Sequence, residues 1–221
     1  MLASQLIIEQ LPVVKPSDTG QTALSWMELF KVSHLPVVTD REYLGLISDR
    51  LIYDLNIAAD TVEKHLMALH SPHIGANQHI FEAAAVLFNL NLTVLPVLDE
   101  QEAYLGSISA TGISKTFAKL LSLHEPGGII ILQVPENSYS LQQISQIVES
   151  NDARVLSMFV SKPTDSRVLH ITLKLQRVDL GTVIATFERY NYQIAAVFTD
   201  DSMLHDLYED RLDQFLKYLN M

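Results

Sequence analysis

The chain contains no cysteine, which excludes disulfides, thiolate metal sites and a cysteine nucleophile. No uncharged apolar run approaches about 18 residues, and the opening stretch, MLASQLIIEQLPVV, lacks the basic start of a secretory leader and carries Glu9. A cytoplasmic protein with no membrane partner is expected on these grounds. Basic side chains are scarce, 15 Lys and Arg against 26 Asp and Glu, for a formal net charge of −11 spread as −6 over residues 1–124 and −5 over the remainder. Such a surface repels phosphate backbones, so nucleic acid is not an expected partner. Also missing are a GxSxG nucleophile turn, a phosphate-binding P-loop and a GxGxxG fingerprint, and the scattered Ser, His and Asp form no recognisable triad. No enzymatic activity is expected, an unidentified enzyme built on the histidines being the distant alternative. His65, His70, His73 and His79 fall close together, yet no HExxH or HxH spacing joins them, so they read as surface histidines and not as a metal site.

What the chain does contain is a repeat. Residues 35–48 read LPVVTDREYLGLIS and residues 95–109 read LPVLDEQEAYLGSIS; with Ala103 as an insertion, nine of fourteen aligned positions are identical. Each copy has two apolar runs joined by a charged turn, the pattern of a β-hairpin. Upstream, Ala23, Trp26, Met27 and Phe30 recur as Ala83, Val86, Leu87 and Leu90, at spacings of three and four that place them on one helical face. The unit is strand, helix, strand, strand, helix.

In these motifs residues 1–124 resemble the cystathionine-beta-synthase (CBS) domain family. The first copy supplies the apolar Val13-Val14, the helix opening Pro16-Ser17-Asp18-Thr19, the run His34-Leu35-Pro36-Val37-Val38, and Leu44-Gly45-Leu46-Ile47-Ser48. Element by element, residues 2–9 read as a short opening helix and 11–14 as the first strand, with Ser17 or Asp18 capping a helix that ends near Ser33. Ser48 or Asp49 caps a second helix to about residue 57, and residues 60–69 read as a linking helix. The second copy then opens with 71–79 and continues with helices over 80–91 and 111–123.

Pro126-Gly127-Gly128 marks a boundary between two patterns. Beyond it the order is strand (129–134), helix (140–149), hairpin (154–160 and 168–175), helix (180–190) and strand (194–199), the βαββαβ split of ferredoxin-like folds. This order resembles the ACT family of small-molecule regulatory domains, and a CBS pair followed by ACT resembles the acetoin-utilisation-type regulatory proteins. The expected class is therefore α+β: CBS motifs over 1–62 and 63–124, an ACT-like domain over 128–200, and an amphipathic helix over 201–221. In that tail Leu204, Leu207, Tyr208, Leu212, Phe215, Leu216 and Leu219 share one stripe, which reads as a helix docked on its own domain or on a partner subunit, or otherwise as a groove-binding segment.

The CBS resemblance implies adenine-nucleotide clefts, each with a hydroxyl and, three residues on, an Asp that accepts the ribose hydroxyls. Here the hydroxyls are Ser48 and Ser109, but the acid positions hold Leu51 and Gly112. Arg50 beside Ser48 could take a phosphate bidentately, and Thr111 adds a hydroxyl near Ser109. The resemblance thus gives His34, Leu35, Pro36, Ser48, Arg50, Leu95, Pro96, Ser109 and Thr111 as cleft residues for AMP, ADP, ATP, NAD or S-adenosylmethionine as a regulatory ligand, with no cofactor required. The alternative is that Ser48 and Ser109 are helix caps and the pair is a degenerate, structural module for dimerisation or partner binding. In the ACT-like part, the effector loop (134–140) carries Glu136, whose charge opposes an amino-acid carboxylate; Asn137 and Ser138 read as caps. Both resemblances imply a homodimer, with Trp26 at the helical face of the CBS disc or in its core.

Overall fold

A computed structural model describes residues 1–8, 11–164 and 167–199. The chain divides into two compact units, one ending at Thr116 and one beginning at Phe117. The amphipathic stripe foreseen for the tail lies outside the described residues.

The first unit is built from two like halves. Copy one runs α1 (Gly20–Phe30), β1 (His34–Thr39), β2 (Glu42–Ser48) and α2 (Asp49–Asp54); copy two runs β3 (Ile74–Gly75), α3 (Ile80–Asn89), β4 (Val94–Leu98), β5 (Tyr104–Ser109) and α4 (Ala110–Leu120). Both hairpins are antiparallel, with His34 opposite Ser48 and Val94 opposite Ser109, and both carry a register shift near the turn, after Val37 and after Val97. The foreseen helical faces bury alike in the two copies: Ala23 and Met27 are enclosed as are Ala83 and Leu87, while Trp26 and Val86 are half-buried and Phe30 and Leu90 exposed. Trp26 packs at the margin of the copy-one core formed around Met27, Leu35, Ile47 and Ile52.

Several local expectations need correction. The cap of α1 is Thr19, whose hydroxyl accepts from the Thr22 N–H, because Asp18 is already turned back to accept from the Lys15 N–H. The first strand shrinks to one parallel bridge between Val14 and Val37, held by Val14 N–H to Pro36 O and Val38 N–H to Val14 O; Pro16 ends it. The opening and linking helices are 3₁₀ turns, Ala3–Leu6 and Val62–Ala68. Each is too short to propagate an α-helix and is fixed by tertiary bonds instead.

Those bonds cross over. The segment before copy two closes copy one, through Val62 N–H to Asp18 O (2.9 Å), Gly20 N–H to Asp60 O (3.1 Å) and Leu46 N–H to His70 O (2.8 Å). The segment before copy one closes copy two in the same way, through Ala3 N–H to Gln78 O (2.9 Å), Ile80 N–H to Met1 O (3.1 Å) and Ile8 N–H to Ser107 O (2.9 Å). The repeated glycine of each LG pair marks the crossing. Gly45 and Gly106 sit at φ +149° and +153°, and a Cβ there would stand 2.7 Å from Leu69 Cβ and 2.3 Å from Ile7 Cγ2 respectively. Only glycine combines that backbone with such a close neighbour.

The second unit has a four-stranded antiparallel sheet ordered β7-β8-β6-β9, from β6 (Gly128–Pro135), β7 (Val155–Ser161), β8 (Val168–Leu175) and β9 (Gln193–Phe198). Helices α5 (Leu141–Glu149) and α6 (Gly181–Arg189) complete the βαββαβ order, which is the ferredoxin-like split foreseen. Alternation along β6 and β8 sends Ile130, Leu132, Val134, Ile171, Leu173 and Leu175 into one core with Ile144, Val148 and Phe187 of the helices. The cap of α5 is Ser140, accepting from Gln143 N–H; Asn137 and Ser138 lie in a 3₁₀ turn and do not cap it.

Candidate functional site

The hydroxyls foreseen as ligand groups end up at the heads of the two helices that follow the hairpins. Ser48 Oγ accepts from Leu51 N–H at 3.1 Å and Ser109 Oγ from Gly112 N–H at 2.9 Å, so each satisfies a free amide of its helix. Both still have a proton to donate. Neither acid position faces an open ligand space: Leu51 packs on the copy-one core, and a Cβ on Gly112 would lie 3.1 Å from Ser109 Oγ and 3.9 Å from Ile8 Cδ1.

Arg50 is exposed, its side chain 87% accessible and its Nε 3.4 Å from Asp54 Oδ2 on the next turn of α2. An ion pair so open to water is worth at most about 1 kcal/mol and holds the guanidinium loosely. Thr111 is likewise exposed, whereas Leu35, Pro36, Leu95 and Pro96 are buried in the hairpins, available only as walls.

The structure joins the two copies at a residue that sequence reasoning passed over, Thr93. Its Oγ1 accepts from Ser33 N–H at 2.9 Å and lies 3.0 Å from His34 Nδ1, and its own N–H donates to that same Nδ1 at 3.3 Å. Burial pushes the His34 pKa down from its ordinary value, and the Asp49 carboxylate pulls part of the way back. From this knot the backbone runs to both caps, Asp49 N–H bonding to Ser33 O (3.1 Å) and Ala110 N–H to Thr93 O (3.0 Å). The signal in the sequence was the hydroxyl repeated before each strand, Ser33 and Thr93. Thus the structure gathers His34 with Ser48 across β1 and β2, and Ser109 with Thr93, while Arg50 and Thr111 stand outside on the surface.

Three clefts of the first unit have volumes of about 610, 490 and 490 Å³, and of these three the first alone reaches the knot. The 610 Å³ cleft between α1 and α2 includes Ser33 and Asp49, and one 490 Å³ cleft lies between the hairpin turns beside Tyr43 and His73; none is lined by Ser48, Arg50, Ser109 or Thr111. The four neighbouring histidines go separate ways. His65 pairs with Asp60 (3.0 Å), His73 lies against Ser71 O (3.0 Å), His79 caps α3 and His70 lends only its carbonyl to β2. Among the described residues, no three His, Asp or Glu side chains are grouped to hold a metal ion, and no helix is long and apolar enough to cross a membrane.

Comparison with known proteins bears on the first unit. The family model described as "CBS domain" matches residues 3–55. Inosine-5'-monophosphate dehydrogenase of Methanocaldococcus jannaschii is 21% identical over 185 residues, 82% of this chain and 36% of that enzyme, so the chain spans about a third of that relative. A CBS domain pair/ACT domain protein from Thermotoga maritima is similar in structure with a TM-score of 0.48 and 18% identity, over 55% of this chain and 99% of that one. CBSX2, solved in complex with AMP, gives a TM-score of 0.44 and 22% identity, over 53% of this chain and 96% of that one. The matched span, residues 3–55, covers the first copy and is a CBS domain, and the second copy repeats its hairpin, register shift and exchanged segment, so the first unit has the two-copy plan of a CBS pair.

Proposed function

We propose that this protein is a non-catalytic regulatory module whose CBS pair senses an adenine-containing nucleotide at the first copy. The observation that carries the reading is the state of Arg50. It stands two residues beyond Ser48, which lies opposite His34 across the hairpin, and its side-chain partner is an exposed Asp54 that a phosphate can displace. The missing ribose acid limits the ligand: with Leu51 in its place, affinity comes from the phosphate and the base more than from the sugar. AMP, ADP, ATP, NAD and S-adenosylmethionine are the candidates, and the last tests the phosphate requirement because it has none.

The second copy supports the other reading, a structural module. Ser109 is a cap, a Cβ on Gly112 would meet the Ser109 hydroxyl before it met Ile8, and no Lys or Arg lies within two residues of either. A pair that binds at one copy and is filled at the other satisfies both observations. The apolar side chains left exposed on the helices, Leu29 at 72%, Phe88 at 52% and Leu90 at 56%, support a homodimer through that face. The ferredoxin-like unit acts in this reading as an ACT-like domain that receives the signal, α4 beginning at the Ser109 cap and ending beyond the boundary at Thr116. Domain limits of 1–62, 63–124 and 128–200 remain part of the proposal.

Titration calorimetry with the five candidates tests it. A phosphate-bearing ligand should bind, and Arg50→Ala should weaken it by about 1.5–3 kcal/mol, the worth of a charge-assisted hydrogen bond. Equal affinity in wild type and variant refutes the site, and no heat from any candidate favours the structural reading.

A further inference from the structure

We propose that His34 and Thr93 form a proton-operated latch between the two CBS copies, closed while Nδ1 of His34 is unprotonated and released when it takes a proton. The argument starts from the one donor whose role is fixed. A backbone N–H can only donate, so the 3.3 Å bond from Thr93 N–H requires a lone pair on His34 Nδ1 and places the ring proton on Nε2. The Thr93 hydroxyl, 3.0 Å from the same nitrogen, is held in place by accepting from Ser33 N–H. A proton on Nδ1 sets two donors face to face across the junction. The hydroxyl contact can survive by reversing its direction, but the amide bond cannot.

The groups around the imidazole decide which way the balance lies. Across the β1–β2 register stands the neutral Ser48, across the junction the neutral Thr93, and at the head of α2 the carboxylate of Asp49. Burial outweighs that carboxylate, so the closed form prevails at neutral pH and the latch is set to answer acid. Because Ser33 O and Thr93 O hold the first amides of α2 and α4, release at one histidine reaches the heads of both helices. This inference does not depend on a nucleotide, so it stands or falls separately from the proposed function.

Nuclear magnetic resonance on the full chain reads the latch directly. At pH 7.5 the His34 ring should be the Nε2–H tautomer, and on acidification the amides of Thr93 and Ser33 should shift with the ring on one midpoint below its ordinary 6.5. His34→Asn keeps an acceptor near the Nδ1 position without a proton to take up, so in it the amides should stay closed-like and the step vanish. An Nδ1–H tautomer, amides that ignore the ring, or a step that persists in His34→Asn each overturn the latch. Should that variant not fold, the tautomer and the co-titration in the native chain decide the matter.

Discussion

Replacing Gly106 by alanine should destabilise the first unit far more than a surface methyl warrants, and the loss should be partly cured by shortening Ile7. Two costs are involved. At φ +153° an L side chain is strained by about 1–3 kcal/mol, and the new Cβ would stand 2.3 Å from Ile7 Cγ2. Forcing those atoms apart costs about 1–3 kcal/mol more. The sum, about 2–6 kcal/mol, is a large part of the 5–15 kcal/mol typical of a domain. Ile7→Ala alone removes half-buried methyl groups for about 1–2 kcal/mol. In the double variant the clash is gone and only the backbone strain remains, so the two changes should couple favourably by about 1–3 kcal/mol.

The single tryptophan, Trp26, lies beside the copy-one core, so urea unfolding followed by its fluorescence reports the first unit alone. The first copy of the motif supplies a control. At Gly45 the obstacle is Leu69 Cβ at 2.7 Å, an atom that Leu69→Ala retains, so Gly45→Ala should be as damaging and Leu69→Ala should not rescue it. A Gly106→Ala loss below about 0.5 kcal/mol, or a double variant whose costs simply add, would refute the docking of residues 1–8 on the second copy.

Ser48→Ala and Ser109→Ala should each lower stability by about 1 kcal/mol, the ordinary worth of an N-cap, measurable in the same urea experiment. Tyr43 keeps its proton above the ordinary value of 10.0 because of burial first and the neighbouring Tyr104 second, while the unfolded chain loses it there. Its contribution is therefore complete below pH 10.0 and lost as pH rises above that value; Tyr43→Phe should flatten the alkaline limb of the stability curve, at a cost of about 1 kcal/mol near neutrality for the bond to Pro72 O. His34 has the opposite sign: its depressed pKa gives stability that is complete above its ordinary 6.5 and is lost as pH falls below that value and through the lower folded one, and thermal unfolding of His34→Asn should lack that acid limb. Phe187→Ala, at a fully buried site of the second unit, should cost about 3–5 kcal/mol by circular dichroism.

The repeat made both hairpins legible because nine shared residues constrain strand, turn and strand at once, and Ala103 showed in advance where the second turn lengthens. The four strands of the second unit were legible as apolar runs between turn and helix signals, and β6 buries every other residue while β8 sends Ile171, Leu173 and Leu175 into the same core. What sequence could not give were features decided by distant partners. Thr19 caps α1 only because Asp18 is drawn to Lys15, and residues 60–69 looked helical locally while tertiary amide bonds hold them in a tighter turn. For the site, Ser48, Ser109 and the lost acids could be read from the motif. The link between His34 and Thr93 spans 59 residues and becomes visible only when the copies are folded together.

The exchanged segments give the CBS pair the connectivity of two chains that traded their opening residues before being joined. A nick in the exposed turn at residues 54–56 would therefore not release two self-sufficient halves. The upstream fragment would keep the piece that completes the second copy, and the downstream fragment the piece that completes the first. Each would be unfinished alone and mend the other on mixing, so the pair should behave as a reciprocal fragment-complementation system. At high concentration the same reciprocity should let one molecule's opening segment settle on its neighbour, so strand-exchanged oligomers are the expected misassembly of this chain.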